Sequence, residues 1–495
     1  MTPFETFLTT NGSTFDYVIT GGTIYDGTGE TPYSGDILIR ADTIAYIGNI
    51  DTQLINFQQH IDASGKIITP GFIDAHAHGN PFDTPQFENF LAMGVTTICL
   101  GQDGSSPNAA LPDWMEKVAK QQLGTNIAMF VGHGTLRYQA GIGYTQNPSK
   151  AQLAKQQKLL SQALASGCFG MTTGLEYTPG TFADDSELLP LAQIVGQHNG
   201  LIMSHVRNED DSDIETSINE LLRQGQYCNV QVSHMKSVYG KGAQRGKDLL
   251  EILENTSTPY TVTADVYPYT ASYTGIGIVF PKWAKPPNVY QEVVRNRREE
   301  LLAFLKKKIE DRNGPEATLF GTAPYAGKTL AQLAEEQNLP YEKVLLGIGP
   351  NRASGAYFIM DEALQTTIIA HPKVMICSDG SPTMRHPRGY GSFAKIIETY
   401  VQERSNLSLT EAIRKMTHLP AQTIGIERRG LLKKGYFADL LIFNPTEIKA
   451  TAAYENPHQL AEGFDFIFVN GQLVRTPTRP FGSAGRLLVK KKTST

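Results

Sequence analysis

Apolar runs of this chain end repeatedly in a polar residue, at intervals of about 30 residues. The residues at these ends are His76, Asp103, His133, Glu176, His205, His234 and Tyr267. Successive ends are separated by 27, 30, 43, 29, 29 and 33 residues, which is about the length of one β-strand plus one α-helix. An eighth apolar run, KVMICSDG, ends at Asp379. Eight such runs predict an α/β fold of the (β/α)8, or TIM, barrel type, in which the polar ends gather at one face and form one site.

The interval before the eighth run is much longer than the others. It measures 112 residues from Tyr267 to Asp379, so roughly 80 residues exceed a βα unit of about 30. They include two charged stretches of helical character, residues 288–314 and 328–348. We therefore predict a helical insertion at about 280–355, placed over the mouth of the barrel, whose solvated helices have no catalytic role.

Both ends of the chain have the character of β-structure. Residues 15–69 alternate short β-branched runs with Gly, Asp and Asn turns, and residues 426–482 contain FDFIFVNGQLVRT with an Asn-Gly hairpin turn. We expect these two segments to pair into one small antiparallel β-sandwich, which leaves residues 70–425 for the barrel. Residues 483–495 are predicted to be a basic tail.

Composition favours a small-molecule substrate. The formal net charge is -5 and the pI is about 6.2, so no surface suited to nucleic acid is expected. The four cysteines stand alone in apolar contexts, which argues against disulfides and against a cysteine-type zinc site. No run of about 18 apolar residues and no signal-peptide pattern is found. We expect a cytoplasmic protein without membrane contact, either a monomer or a homo-oligomer.

Histidines are the most informative of the polar ends. In FIDAHAH, the side chains of His76 and His78 point to the same side of an extended chain, because the side-chain period of a strand is two. A lone histidine at a strand end is usually structural, but His205, His234 and Asp379 occupy the ends of other strands. Imidazole nitrogens with carboxylate oxygens suit Zn²⁺, and similar donors bind Mn, Co and Ni. We predict a divalent metal site built from these residues, with zinc as the first choice.

Several motifs resemble one family. GFIDAHAH, the strand-end histidines and SDG at 378–380 resemble the metal-dependent amidohydrolase superfamily. Within it, GHGTLR, GLEYTPG, SHVRNE, VSHMKS, DVYPYTAS and HPRGYGSF, in this order along the chain, resemble the D-aminoacylase, or N-acyl-D-amino-acid deacylase, branch. The resemblance covers nearly the whole chain. It implies a hydrolase that cleaves the amide bond of N-acyl-D-amino acids with one or two zinc ions.

The resemblance also assigns roles to the strand-end residues. It implies that His76 and His78 hold one metal position, that His205 and His234 hold the other, and that Asp379 is the catalytic carboxylate. A divalent metal lowers the pKa of a bound water toward about 7 and polarises a carbonyl oxygen. We expect the hydroxide to attack the amide while Asp379 carries the proton to the departing amine nitrogen, because an unprotonated amine is a poor leaving group.

The chain departs from the pattern of this branch at the second strand. D-aminoacylases place a cysteine there as the shared metal ligand, whereas this chain has Asp103 in GQDG. Related amidohydrolases use a carboxylated lysine or a glutamate later in the barrel. We expect Glu176 to bridge the two metal positions. Asp103 is the alternative and ranks second, because its position between Gln102 and Gly104 is typical of a turn residue.

Substrate recognition requires cations, because a free N-acyl amino acid carries a carboxylate. Lys236 lies two residues after a predicted ligand and shares its side of the strand, and Arg388 follows the eighth strand with a guanidinium that can bind a carboxylate in bidentate fashion. The resemblance points to both positions and to a tyrosine. Tyr267, Tyr269 and Tyr273 are the candidates, and we select Tyr267.

The sequence allows two interpretations of His133 and several alternative functions. His133, in GHGTLR, either donates a hydrogen bond to the developing oxyanion of the substrate or supports its strand end. Arg207 is expected to pair with Glu209. The alternative functions are another amidohydrolase activity, on a cyclic amide, a dipeptide or N-acyl-D-glutamate, and a non-catalytic metal-binding scaffold. The residues alone do not fix whether the D or the L enantiomer is used.

Overall fold

The computed structural model describes residues 2–108 and 110–491 of the chain. Its strands, in chain order, are β1 (Thr14–Ile24), β2 (Tyr33–Arg40), β3 (Thr43–Gly48), β4 (Asn56–Asp62), β5 (Ile67–Pro70), β6 (Phe72–Asp74), β7 (Val95–Leu100), β8 (Asn126–Met129), β9 (Val131–Gly132), β10 (Gly170–Gly174), β11 (Leu201–His205), β12 (Asn229–Val232), β13 (Val262–Val266), β14 (Ala271–Gly275), β15 (Thr318–Phe320), β16 (Ser354–Phe358), β17 (Val374–Ile376), β18 (Leu440–Phe443), β19 (Phe464–Val469), β20 (Gln472–Arg475) and β21 (Leu487–Leu488).

Helices fill most of the intervals between these strands. In chain order they are α1 (Pro3–Asn11), α2 (Glu88–Ala92), α3 (Leu111–Val118), α4 (His133–Gln139), α5 (Lys150–Ala165), α6 (Asp185–Gln197), α7 (Ile214–Gln224), α8 (Gly242–Glu254), α9 (Tyr290–Asn296), α10 (Arg298–Asp311), α11 (Leu330–Gln337), α12 (Tyr341–Ile348), α13 (Glu362–Ala370), α14 (Arg388–Lys395), α15 (Leu409–Met416) and α16 (His418–Ile424). A π-helix, Ile396–Glu403, continues α14.

Parallel strands form the centre of the molecule. β6, β7 and β8 pair in this order, and β9, β10, β11, β12, β13 and β17 form a second parallel sheet. Only Phe130 separates β8 from β9, and an isolated parallel bridge joins Ala77, after β6, to Gly380, after β17. Every residue of β7, β10 and β11 is buried, as expected for parallel strands whose two faces are both covered. The predicted α/β class is confirmed.

The long interval before β17 forms a unit with its own core. β14, β16 and β15 make an antiparallel sheet, and α9 to α12 contribute to a separate hydrophobic cluster that includes Leu305, Phe320 and Leu345. The predicted helical stretch 288–314 is divided into α9 and α10 at Arg297, whose φ of -134° is not helical. The helical segment predicted before the eighth strand is therefore present, together with strands that the prediction did not include.

The two ends of the chain share one sheet, as the sequence predicts. β18 pairs with β5, and the strand order is β20-β19-β18-β5-β1-β2-β3, with β4 also beside β1. Asn470 and Gly471, at φ values of 50° and 76°, make the predicted hairpin turn between β19 and β20. The expectation of purely antiparallel pairing is wrong, because β1 pairs in parallel with both β4 and β5.

The predicted basic tail is partly built into the fold. β21 pairs in parallel with β8, and Lys490 donates from Nζ to the backbone oxygen of Asn199 at 2.6 Å. The rest of the predicted tail, residues 492–495, lies outside the described residues. All four cysteines are buried and unpaired, as expected. Among the helices that the structure describes, none is both long and apolar enough to cross a bilayer.

Candidate metal centre

β6 and β17 are joined where their polar ends lie. The backbone N–H of His78 donates to the oxygen of Gly380 at 2.8 Å, and the N–H of Asp379 donates to the oxygen of His76 at 2.8 Å. These bonds bring Asp379 Oδ1 to 3.4 Å from His76 Nε2 and to 3.0 Å from His78 Nε2. Residues about 300 positions apart in the sequence thus present two imidazoles and a carboxylate to one point.

Asp103, which follows β7, lies among all four predicted histidine ligands. Its Oδ1 is 3.3 Å from His76 Nε2, 3.3 Å from His234 Nε2 and 3.8 Å from His205 Nδ1. Its Oδ2 is 3.3 Å from His78 Nε2. One carboxylate therefore faces both predicted metal positions.

Glu176, the preferred bridge in the sequence prediction, touches only one of these histidines. Its Oε2 is 3.0 Å from His205 Nε2, while His205 Nδ1 lies 2.9 Å from His234 Nε2. Glu209, on the other side, approaches His234 Nδ1 to 3.0 Å. Glu176 and Glu209 thus border the His205–His234 pair, and neither reaches the first pair of histidines as Asp103 does.

The donor atoms fit a divalent metal such as zinc. A tetrahedral zinc site with bonds of about 2.0–2.1 Å has ligand atoms about 3.3 Å apart, and the four separations between the His76–His78 pair and the two aspartates are 3.0–3.4 Å. His76 is fully buried, and both of its ring nitrogens have no hydrogen-bond partner among the described residues. A buried nitrogen in this state costs free energy unless it is satisfied, and coordination of an ion would satisfy it.

Three residues of the centre have strained backbones. Asp103, His234 and Asp379 have φ values of 53°, 36° and 48°, a region that non-glycine residues adopt at a cost of about 1–3 kcal/mol each. In this conformation each of the three side chains contacts other members of the candidate ligand cluster. The strain is concentrated where ligand direction matters most, as is common at functional sites.

Two buried aspartates that the sequence interpretation did not single out support the ligands. Asp74 Oδ1 accepts the backbone N–H groups of His76 at 3.2 Å and Ser378 at 3.0 Å, which ties the end of β6 to the end of β17. Asp265 Oδ1 accepts the N–H of His234 at 2.7 Å. The only sequence signal was their position in FIDAHAH and in the run that ends in DVYPY.

The predicted substrate-binding cations lie beside the ligands and already have carboxylate partners. Arg388 Nη1 is 2.9 Å from Asp379 Oδ2, and Lys236 Nζ is 2.6 Å from Glu209 Oε1. Burial opposes the ionisation of Asp379, but the Arg388 guanidinium holds the pKa of that carboxyl well below its ordinary value. The ring of Tyr267 lies 4.7 Å from Arg388 Cζ and 5.7 Å from Lys236 Nζ, and burial raises the pKa of its hydroxyl to about 12.

These residues line a cavity of about 240 Å³, here called the cationic cavity, that reaches the candidate metal ligands. Tyr273 also lines it, whereas Tyr269 does not. A third cation that the sequence interpretation missed, Arg312 at the end of α10, belongs to its wall and is only 4% exposed. Among the described residues, Arg312 has no carboxylate within ion-pair distance, and its Nε has no hydrogen-bond partner. It stacks 5.1 Å from the ring of Tyr357.

Two other predicted contacts are not found. His133 begins α4 and is fully buried, with Nε2 at 2.8 Å from Glu187 Oε1, and it lines neither the cationic cavity nor the neighbouring one. Of its two interpretations, this position supports the structural one. The pairing of Arg207 with Glu209 is wrong, because Arg207 binds Glu220 through Nε and Nη2 at 2.8 and 2.7 Å.

Comparisons with known proteins agree with this geometry. Residues 333–474 match the model of the "Amidohydrolase family". The chain is 30% identical to N-acyl-D-aspartate deacylase of Alcaligenes xylosoxydans xylosoxydans, over 93% of this chain and 92% of that protein. It is also 30% identical to the N-acyl-D-glutamate deacylase of the same organism, over 96% of each chain.

Solved structures show the same relationship. A D-aminoacylase structure with a binuclear metal centre matches with a TM-score of 0.83 and 28% identity, over 96% of this chain and all of that chain. N-acyl-D-glutamate deacylase from Bordetella bronchiseptica, complexed with zinc and a phosphonate inhibitor, matches with a TM-score of 0.82 and 30% identity, over the same shares.

An α/β fold with histidines and carboxylates clustered at the ends of parallel strands is the arrangement expected of a metal-dependent hydrolase. The chain belongs to the amidohydrolase family, in its branch of D-aminoacylases and N-acyl-D-amino-acid deacylases. Enzymes of this branch hydrolyse linear amides.

Proposed function

We propose that the chain hydrolyses the amide bond of N-acyl-D-amino acids and releases a carboxylate and a free D-amino acid. The observation that carries this proposal is the position of Asp103 among four histidines, directly beside Asp379 and a cavity lined with cations. The names of the relatives, N-acyl-D-aspartate deacylase, D-aminoacylase and N-acyl-D-glutamate deacylase, support the same reaction class.

We assign the ligands with one change from the sequence prediction. His76 and His78 would hold one position, with the catalytic Asp379 beside them. His205 and His234 would hold the other, and Asp103 takes the bridging place that the sequence prediction gave to Glu176. Asp103 approaches all four histidines within 3.8 Å. Glu176 keeps a role as a contact of His205 alone. Zinc is the first choice for one or two ions, because imidazole and carboxylate donors suit it and a solved structure at 30% identity contains it.

A bound divalent ion supplies Lewis-acid polarisation of the amide carbonyl and lowers the pKa of coordinated water. Asp379 accepts the proton of the attacking water at Oδ1 or Oδ2 and delivers it to the amine nitrogen that leaves. Arg388, at 2.9 Å from Oδ2, keeps the carboxylate ionised before the reaction and fixes its plane. The ion pair with Arg388 and the contacts with His76 and His78 hold the carboxylate of Asp379 toward the histidines.

The cationic cavity accommodates the amino-acid part of the substrate. Lys236, Arg388 and Tyr267 bind the α-carboxylate, which competes with Glu209 and Asp379 for the two cations. All three side chains are at least 95% buried, so their electrostatic interactions with a bound carboxylate are strong.

Arg312 favours an acidic substrate within this class. Arg312 is a buried cation in the same cavity. Lys236 and Arg388 have carboxylate partners, whereas Arg312 has none among the described residues. A buried charge without a counterion is costly, and the side-chain carboxylate of an N-acyl-D-aspartate or N-acyl-D-glutamate would remove that cost. Two relatives at 30% identity carry these substrates in their names.

We also retain the finer structural predictions as proposals. The bridge between Ala77 and Gly380 and the adjacency of β8 and β9 support closure of the parallel strands into a (β/α)8 barrel over residues 70–425. The shared sheet of the two chain ends supports a β-sandwich from residues 15–69 and 426–482. Four buried, unpaired cysteines support a reducing, cytoplasmic location.

An assay of enantiomer pairs tests the proposed reaction. The zinc-loaded enzyme is offered N-acetyl-D- and N-acetyl-L-amino acids with acidic and apolar side chains, and the released amine is quantified. We expect hydrolysis of the D enantiomers, fastest with Asp and Glu. Asp379→Asn serves as a control that retains metal and loses nearly all turnover. Hydrolysis confined to L enantiomers or to cyclic amides would contradict the proposal.

A further inference from the structure

A second and larger cavity lies beside the metal ligands. It has a volume of about 780 Å³ and shares His78, Asp103, Tyr177 and Thr274 with the cationic cavity. These four residues form the passage between the two spaces. The candidate metal centre is therefore open to two cavities. The cationic cavity contains the buried cations, whereas no lysine or arginine is among the described residues that line the larger cavity.

The walls of this second cavity are rich in aromatic side chains. Trp114 is 8% exposed and meets the ring of Phe82 edge to face, with centroids 6.1 Å apart and an interplanar angle of 87°. Tyr138 and Tyr177 contribute two further rings. Phe82 and Tyr138 are 41% and 48% exposed, and apolar rings left in water at the rim of a cavity are typical of a ligand-binding surface.

The position of the scissile bond decides which part of a substrate enters this cavity. If the carbonyl lies at the metal ligands and the α-carboxylate at Lys236 and Arg388, the amino-acid part fills the cationic cavity. The acyl chain must then leave through the passage at His78 and Asp103 in the other direction. An acetyl group, with a single methyl beyond the carbonyl, would leave the aromatic rings of the larger cavity without contact.

We propose that the larger cavity is an acyl-binding subsite for aryl-substituted acyl groups, of which phenylacetyl is the model. This inference rests on the proposed deacylase function and adds the class of acyl group to it. A phenyl ring can meet Trp114, Phe82 and Tyr138 in the edge-to-face and offset arrangements that aromatic pairs prefer. Among the described residues that line this cavity, here called the acyl cavity, there is no lysine or arginine that would select an acidic acyl group.

Kinetics with matched substrates test the acyl cavity. The zinc-loaded enzyme is assayed with the N-acetyl, N-octanoyl and N-phenylacetyl derivatives of one D-amino acid. We expect kcat/KM for the phenylacetyl substrate to exceed that for the acetyl substrate by about tenfold or more, since filling an apolar pocket changes kcat/KM by about 10–200-fold. A preference for acetyl, or for octanoyl over phenylacetyl, would overturn the inference. No hydrolysis of any of the three would instead contradict the proposed function.

Single-residue variants test whether the acyl cavity causes the preference for the phenylacetyl substrate. Phe82→Ala should lower the phenylacetyl-to-acetyl ratio of kcat/KM about tenfold, because it removes one aromatic wall. Tyr260→Ala is the matched control: Tyr260 is an aromatic residue that is 43% exposed and lines neither the acyl nor the cationic cavity. An unchanged ratio in Phe82→Ala, or an equal fall in Tyr260→Ala, would show that the selectivity does not come from this cavity.

Direct binding provides a readout that does not depend on turnover. The chain has two tryptophans, Trp114 in the acyl cavity and Trp283 in the inserted unit. Phenylacetate should change the tryptophan fluorescence of the holoenzyme at concentrations at least about tenfold below those needed for acetate, and Trp114→Phe should remove the change. A signal that persists in Trp114→Phe but is lost in Trp283→Phe would place the ligand elsewhere and overturn the assignment.

Discussion

Asp103 combines a strained backbone with a central position. Its φ of 53° and its contacts with all four histidines predict that Asp103→Ala weakens metal binding by more than about 100-fold, beyond the effect of losing a supporting hydrogen bond. Glu176→Gln should retain its metal, because Glu176 contacts His205 alone among these histidines. Metal content after dialysis against a competing chelator measures both variants. Retained metal in Asp103→Ala with loss in Glu176→Gln would restore the original choice of Glu176 as the bridge.

A substitution of Arg312 tests whether the substrate is acidic. Arg312→Met keeps most of the side-chain volume and removes the charge, so the ratio of kcat/KM for N-acetyl-D-aspartate over N-acetyl-D-leucine should fall about 30-fold or more, since loss of one member of a buried charge pair costs about 2–5 kcal/mol. Steady-state kinetics with both substrates give the ratio. An equal loss for both substrates would instead make Arg312 a clamp for the α-carboxylate.

At the scale of elements, Glu187 connects three helices. From α6 it accepts hydrogen bonds from Gln156 on α5 at 2.8 Å and from Arg137 on α4, and it lies 2.8 Å from His133 Nε2. Burial opposes ionisation of Glu187, but His133 and the other donors lower its pKa from 4.5 to about 2. A depressed folded pKa adds stability that is complete above about pH 4.5 and is lost as the pH falls toward about 2.

The pH dependence of unfolding tests this cluster. In metal-free enzyme, Glu187→Gln should reduce the free energy of unfolding by about 3 kcal/mol at pH 6, and the difference from wild type should shrink as the pH falls from about 4.5 toward 2. Denaturant titrations of both proteins at several pH values give this difference. A difference that does not depend on pH would show that the ionised carboxylate is not the source of the stability.

Elements with a regular apolar period could be predicted from the sequence. Parallel strands such as β7, β10 and β11 are buried throughout, so an apolar run and a polar end mark each of them. The candidate metal ligands were chosen at those ends, and the structure brings them close together. Partners in loops could not be predicted, since no periodicity sets the direction of a side chain after a strand. Glu209, for example, pairs with Lys236 and not with Arg207. β21 pairs with β8 over only two residues, which are too few to leave a periodic pattern in the sequence.

At the scale of the whole molecule, the candidate ligands come from the ends of separate parallel strands and hold them together when an ion is bound. A metal ion that binds only to the folded state stabilises that state by about 2.7 kcal/mol at a free metal concentration of 100 times Kd. We therefore expect exhaustive chelation to lower the thermal unfolding midpoint by several degrees, and zinc to restore it. A midpoint that does not respond to chelation or to zinc would show that the ligand cluster does not bind an ion in the folded protein.

The most direct test of the metal-dependent hydrolase is a titration of chelated enzyme with zinc, in which hydrolysis of an N-acetyl-D-amino acid and bound metal are measured on the same samples. We predict that the metal-free enzyme is inactive and that activity returns as the first equivalents of zinc bind, with no recovery in Asp379→Asn at equal metal content. Full turnover in enzyme shown to contain no metal would contradict the central claim.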